Sequence, residues 1–105
     1  MRENGHYIIF RVHSEEPLQF EEVKNAIWNS ILNWLGDGDT SKANIWIIKN
    51  LWSKSNQTGY IKCMPKYVDQ VKVALALIHQ VADSRIIVES VRVSGTIKSG
   101  KKAAS

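Results

Sequence analysis

The fold class can be inferred from the segment 43-ANIWIIKNLWSKSNQTGYIKC-63. It contains two β-prone segments, Ala43–Asn50 and Gly59–Cys63, which we predict as strands two and three. Between them, Ser53–Thr58 is a polar loop rich in Ser, Asn and Gln, which are residues typical of turns. A parallel pair needs a crossover of about a dozen residues or more, so this short loop predicts an antiparallel pair and excludes an alternating parallel sheet.

The outer elements follow from their hydrophobic spacing. Strand one is predicted at His6–His13, where apolar residues alternate, and helix one at Phe20–Leu35, where they repeat at helical spacing up to Gly36. A second helix is predicted over Pro65–Ala82, and a β-branched strand four begins at Ile86. The order β-α-β-β-α-β predicts an α+β ferredoxin-like sandwich, which the RNA-recognition motif also uses, with a four-stranded antiparallel sheet and both helices on one face.

The composition is that of a globular protein with one core. The chain has 105 residues, of which 44% are hydrophobic, and we predict a single domain over 1–105 with a core at about 6–98 and a basic tail at 99–105. No apolar run approaches the roughly 18 residues of a membrane span. The first residues lack the apolar segment of a signal peptide, and Cys63 is the single cysteine. We therefore expect a cytoplasmic protein without disulfides and without a membrane partner.

The net positive charge is confined to the last fifth of the sequence. Residues 1–84 contain nine Lys or Arg and nine Asp or Glu, whereas residues 85–105 contain five cations and only Glu89, which gives the net charge of +4. A neutral body with a cationic end favours an anionic partner, of which polyphosphate is the commonest. The alternative is a solvated terminus whose lysines serve solubility.

Two parts of the chain are candidates for RNA contact. Tyr7, Arg11, Tyr60 and Lys62 are predicted on the sheet face without helices, where aromatic rings interleaved with cations suit bases and phosphates. The segment Ser94–Lys98 adds hydroxyls, approachable backbone N–H groups and a lysine. The predicted RNA-binding residues are Arg11, Lys62, Arg92, Ser94, Gly95, Thr96, Lys98, Lys101 and Lys102. The alternatives are a sheet face covered by protein and a simple chain reversal after strand four.

Apolar residues on the helices exceed what one small core can bury. Trp28 and Leu32 lie beside the core stripe of helix one, and Val73, Leu77 and Val81 form a second stripe on helix two at spacing i, i+4, i+8. Contiguous exposed apolar surface usually marks an interaction site, so these five residues are predicted to contact a protein partner. The alternative for Trp28 is a partly buried edge residue.

The residues that carry catalysis and metal binding in other proteins are scattered here. His6 and His13 are seven residues apart on one strand and therefore face opposite sides, and His79 lies on another element. The sequence has no paired cysteines, no phosphate-binding glycine loop and no nucleophile elbow. We predict no catalytic residue and no metal site, and we interpret Cys63 as a small core residue.

Five segments resemble one known family. They are His6–Phe10, Ala26–Gly36, Ser41–Ala43 with Trp46–Lys49, Thr58–Lys62 and Val93–Lys98, of which the Ser-Gly-Thr-Ile-Lys sequence in the last is the most specific. On these residues the chain resembles the archaeal ribonuclease P protein component 2 family, the Rpp14/Pop-type subunits shared with the eukaryotic nuclear enzyme and its mitochondrial RNA-processing relative. The resemblance covers about residues 6–98.

The resemblance implies a non-catalytic subunit of the ribonucleoprotein that removes the 5′ leader from precursor tRNA. The RNA would perform the hydrolysis with bound magnesium, and the protein would bind no cofactor. The implied partners are ribonuclease P RNA, precursor tRNA indirectly and the TIM-barrel-like protein component 3. Two such protein pairs would associate through two copies of this subunit, and each pair would support the catalytic domain of the RNA.

Three functions remain open from the sequence. The first is an RNA-folding cofactor whose cations neutralise closely packed phosphates. The second is a protein scaffold within a ribonucleoprotein that acts mainly through the apolar helix faces. The third is a ferredoxin-like regulator that binds a small molecule. No residue pattern in the sequence indicates such a ligand.

Overall fold

The computed structural model describes residues 5–95, and its elements within that range form a two-layer α+β sandwich. In chain order they are β1 (His6–His13), α1 (Phe20–Ala43), β2 (Trp46–Ile47), β3 (Thr58–Cys63), α2 (Val68–Ala76), β4 (Gln80–Val81), β5 (Ser84–Arg85) and β6 (Ile87–Ser94). Two short 3-10 turns lie at Lys49–Leu51 and Pro65–Tyr67.

The sheet has the strand order of a ferredoxin-like fold. Its four strands run β2-β3-β1-β6, and every neighbouring pair is antiparallel. The two longest strands, β1 and β6, lie side by side, and each is eight residues long. This arrangement confirms the predicted fold class and the antiparallel pairing of the second and third predicted strands.

The core lies between the sheet and both helices. Ile8, Phe10 and Val12 of β1 point into it, as the alternation predicts. The residues of the other elements that join them there include Val23, Ile27, Ile31, Ile61, Cys63, Val71, Ala74, Leu75 and Val88. Both helices therefore cover the same face of the sheet.

Helix α1 begins where the sequence predicts and ends later. At its start the Gln19 N–H donates to the Glu22 carboxylate at 2.9 Å, which closes a capping box. Gly36 breaks the helical geometry with φ 83° and ψ 167°, as predicted, but the predicted helix end at Leu35 is wrong because the helix resumes after Gly36 and continues to Ala43. The resumed turn is held by burial of Thr40 and Ala43 against the rest of the protein.

Helix α2 is shorter than the prediction. It ends at Ala76 rather than Ala82, and the chain then forms the β4–β5 hairpin, with Ala82 in the left-handed region at φ 52°. Val81 belongs to β4 and is buried in the core, so the predicted exposed stripe is wrong at this residue. Helical spacing failed here because Ile78 and Val81 reach the core from an irregular segment and a strand.

The second predicted strand is also shorter in the structure. The strand is limited to Trp46–Ile47, with one further backbone hydrogen bond from the Ile48 N–H to the Tyr60 carbonyl, since Ala43 ends α1 and the chain turns at Lys49. Trp52 then stacks on Phe10 with ring centroids 6.2 Å apart. The ring contact requires Gly59, because a Cβ there would lie 2.6 Å from the Phe10 ring.

Candidate nucleic-acid interface

The helix-free face is the side of the sheet opposite the core. Its side chains are those of Tyr7, Ile9, Arg11, His13, Trp46, Thr58, Tyr60, Lys62, Ile87, Glu89, Arg92 and Ser94, identified from the alternation and the cross-strand register. Directly opposite residues of antiparallel strands point to the same side, so these side chains form rows across the sheet.

The first row crosses all four strands. It runs Trp46, Lys62, Tyr7 and Ser94, so a cation lies between two aromatic residues and a hydroxyl closes the row. The Lys62 ammonium lies 6.0 Å from the centroid of the Tyr7 ring, at the outer limit of a cation–π contact. Trp46 is 61% exposed. The row therefore presents ring faces and a positive charge together.

The next rows bring two arginines close to the first row. Arg92 lies opposite Ile9, and Arg11 lies opposite Glu89. Both arginines are exposed. Glu89 is engaged by the His13 ring, whose Nε2 lies 2.8 Å from the carboxylate. The predicted residues Arg11, Lys62, Arg92 and Ser94 thus share one face.

A β-bulge puts two of these residues on the helix-free face. The β1–β6 register shifts between Ile9 and Phe10, which leaves Val91 as the extra residue of β6. Val88 points into the core, and strict alternation from it would turn Arg92 towards the helices as well. The extra residue reverses the alternation, so Arg92 and Ser94 reach the helix-free face.

Tyr60 lies on the predicted face but is not accessible. Its side chain is only 3% exposed, and burial raises the pKa of its phenol. Ile9, opposite Tyr60 in the register, is fully buried as well. Stacking of a base on Tyr60, which its place in the alternation suggests, is therefore wrong for this structure, whereas Tyr7 is half-buried and Trp46 exposed.

The end of β6 contains part of the predicted Ser-Gly-Thr segment. Ser94 is 7% exposed, and Gly95 is exposed with no atom within 4 Å of a Cβ built on it. The predicted contacts of Thr96, Lys98, Lys101 and Lys102 lie outside the described residues. Their role stays a prediction.

Trp46 is the residue of this face that sequence reasoning missed. Its indole N–H donates to the Asn44 side-chain oxygen at 3.2 Å, and the residue lines a cleft of about 350 Å³ with Trp28 and Lys24. The available signal was the alternation itself, since Ile45 is buried and Ile47 packs on the core on either side of Trp46.

The predicted protein-contact residues divide into separate places. Trp28 and Leu32 are 36% and 38% exposed, and Trp28 lies on the β2 side of α1. Val73 and Leu77 are 39% and 52% exposed, and Leu77 lines a cleft on the opposite flank of α1. Buried Val81 belongs to neither place.

The described residues contain no cluster suited to a metal ion. No three His, Cys, Asp or Glu side chains come together in residues 5–95. Cys63 is buried, and burial raises the pKa of its thiol to about 11. Over the same range, no helix combines the length and the apolar character needed to cross a membrane.

Comparison with solved structures shows the fold. A chain in the cryo-EM structure of yeast ribonuclease MRP superposes with a TM-score of 0.67 at 9% identity, covering 91% of this chain and 77% of that chain. At this identity the likeness concerns the arrangement of helices and strands alone. It supports the ferredoxin-like topology.

Sequence comparisons identify the family. The Rpp14/Pop5 family matches residues 6–105. Ribonuclease P protein component 2 of Pyrococcus furiosus is 38% identical over 97% of this chain and 83% of that protein. The component 2 proteins of Thermococcus gammatolerans and Methanocaldococcus jannaschii are 36% and 34% identical, over 97% and 96% of this chain and 83% and 72% of theirs. The chain therefore belongs to the Rpp14/Pop5 family of ribonuclease P protein subunits.

Proposed function

We propose that this chain is a non-catalytic subunit of ribonuclease P that binds the catalytic domain of the enzyme's RNA through the helix-free face. The observation that carries the proposal is the grouping of Arg11, Lys62 and Arg92 beside exposed or half-buried aromatic rings. Cations of this kind supply most of the affinity of proteins for a phosphate backbone. The named relatives in archaea, each called ribonuclease P protein component 2, support the choice of RNA.

The mechanism is stabilisation of closely packed RNA. Folding the catalytic domain brings phosphates together, and their repulsion must be offset by magnesium or by protein cations. Arg11 and Arg92 are exposed on the helix-free face and would offset part of it, together with the lysines after Gly95. Magnesium on the RNA would supply the chemistry of hydrolysis, and this chain would bind no cofactor. It would act in the cytoplasm and affect precursor tRNA only through the RNA that it stabilises.

Reconstituted ribonuclease P tests this mechanism. Arg11→Gln with Arg92→Gln should raise the magnesium concentration needed for half-maximal leader removal and lower the slope of log affinity against log salt by about 1.5, since each phosphate contact contributes about 0.7–0.9. The matched control, Lys42→Gln with Lys72→Gln, removes the same charge from exposed helix positions and should change neither quantity.

A second variant tests the lysines that follow the described residues. Changing Lys98, Lys101 and Lys102 to Ala should shift the same two measurements in the same direction. Unchanged magnesium and salt dependence in both the arginine variant and the lysine variant would contradict the proposed function.

A second function is favoured by the exposed apolar side chains on the helices. We propose that the surface around Leu77 binds the TIM-barrel-like protein component 3, and that two copies of this chain associate at the centre of a heterotetramer. Leu77 is half exposed at the end of α2, where an apolar side chain gains from burial by a partner. In this function the protein contacts organise the complex and the RNA contact is incidental.

A further inference from the structure

A cleft at the outer edge of the sheet is lined by residues of both the helix layer and the sheet layer. It has a volume of about 350 Å³, with Trp46 on β2, Trp28 on α1 and Lys24 among its lining residues. Pockets for small ligands occupy about 300–1,000 Å³, so this cleft is at the lower end of the range.

The Trp46 ring is held in place although it is mostly exposed. Its N–H donates to Asn44, the residue that ends α1 in the left-handed region at φ 52°. The polar group of the indole is therefore satisfied within the protein, and the ring face is left without a polar partner. A fixed, exposed ring face of this kind can stack on another ring at little cost in conformational entropy.

Positive charge flanks the two indoles. Lys62 lies opposite Trp46 in the β2–β3 register, and Lys24 lines the cleft. The ion pair of Lys24 with Glu21, at 3.4 Å, is exposed and therefore weak, so the ammonium can exchange partners. Among the described residues that line the cleft, none is acidic. Lys24 therefore offers a cation inside the cleft, and Lys62 offers a second one on the adjoining helix-free face.

We propose that this cleft binds one unpaired RNA base, stacked on Trp46 with Trp28 beside it and with Lys24 and Lys62 contacting the neighbouring phosphates. The inference rests on the proposed function, because it states which feature of the RNA the protein selects. A bulged or looped nucleotide can present a free base face, whereas a paired base cannot. Through the cleft, the subunit would bind preferentially to RNA that contains an unpaired nucleotide.

The geometry favours a base over a peptide at this edge. A peptide could pair with the free edge of β2, but β2 has only two paired residues and would offer few backbone hydrogen bonds. A base needs only a ring face and nearby cations. The alternative occupant of the cleft is a protein partner, and the experiment below distinguishes it from RNA.

Two RNA hairpins test the inference with the full chain. One contains a single bulged adenosine and the other is the same hairpin fully paired. Trp46→Ala should weaken binding of the bulged hairpin about ten-fold more than binding of the paired hairpin, since one stacked base contributes roughly that much. Trp46→Phe should retain most of the affinity, and the wild-type indole fluorescence should be quenched only by the bulged RNA.

The control is Trp34→Ala, which removes a comparably exposed indole from α1 outside the cleft and should not change binding of either hairpin. If Trp46→Ala binds the bulged hairpin as tightly as wild type does, and wild type does not prefer the bulged hairpin, the inference about the cleft is overturned. If Arg11→Gln still weakens binding in that case, the proposed function is not affected. Loss of a protein partner by Trp46→Ala with RNA binding intact would also overturn the inference about the cleft. Failure of wild type to bind either hairpin at low salt would contradict the proposed function itself.

Discussion

Lys62 and Tyr7 lie directly opposite each other on β3 and β1, with the ammonium 6.0 Å from the ring centroid. The lysine stem also lies against Gly5, where an added Cβ would be 2.7 Å from Lys62 Cε. The ring and the neighbouring backbone together limit the positions of the ammonium. Tyr7 is therefore expected to position the Lys62 charge on the helix-free face.

Removing this charge should weaken RNA binding in a salt-dependent way. For Lys62→Ala we expect lower affinity at low salt and a salt slope reduced by about 0.7–0.9, the value for one lost phosphate contact. Tyr7→Leu keeps the charge and should have a smaller effect on the slope. Lys72→Ala, on α2, is the control, and a Lys62→Ala slope equal to that of wild type would contradict the prediction.

Leu77→Asp should separate protein binding from folding. Because Leu77 is 52% exposed, the free energy of unfolding should change by only about 0.5 kcal/mol. Association with the TIM-barrel-like component should be lost, because a carboxylate would be buried in the contact. Co-purification and light scattering measure both binding and self-association. Ile87→Asp, at a 66% exposed residue on the sheet, is the matched control, and co-purification retained by Leu77→Asp would exclude this surface.

Two glycines of α1 should respond oppositely to the same substitution. Gly36 has φ 83°, so Gly36→Ala is expected to lower the free energy of unfolding by about 1–2 kcal/mol. Gly38 lies in the resumed helix with no atom within 4 Å of an added Cβ, so Gly38→Ala should raise it by about 0.5–1 kcal/mol. Urea unfolding of the two variants checks the signs, and equal effects would argue against the kink.

Cys63 should be almost unreactive in the folded protein and should link stability to alkaline pH. At pH 8 a thiol with a pKa of about 11 is about one part in a thousand thiolate, about 100-fold less than at the ordinary value of 9.0. As pH rises from 9 to 11 the unfolded thiol loses its proton first, so the free energy of unfolding should fall over that window.

Alkylation with and without urea, and unfolding at pH 8 and pH 10, measure both effects. Cys63→Ala should fall less in stability between the two pH values than wild type. Rapid alkylation of the native protein at pH 8 would contradict the buried position of the thiol.

Much of the site follows from local alternation, and part of it does not. The alternation in β1 correctly puts Arg11 on the side of the sheet away from the core. The same rule, applied to β3, correctly puts Lys62 on that side. It could not place Arg92, because a bulge at Val91 shifts the register of β6 relative to β1. Nor could it reveal that Tyr60 is buried on that face, since burial depends on what the rest of the chain places nearby.

Helix ends show the same division. The period of α1 and the break at Gly36 are local properties, and both are correct in the prediction. The continuation to Ala43, the early end of α2 and the turn of Val81 into the core depend on contacts between distant segments. An apolar residue at helical spacing gains the same burial from a strand, so spacing alone does not separate the two.

The sequence alone was sufficient to predict the first five elements in order, the antiparallel β2–β3 pair, the core side of β1 and the family, but not the β4–β5 hairpin. It could do so because side-chain period and loop length are local constraints. The full set of cations that share a face, and the exposed position of Trp46 beside Lys62, became clear only from the three-dimensional structure. Those facts follow from register, from one bulge and from the short β2 edge, which are set by packing between segments far apart in the chain.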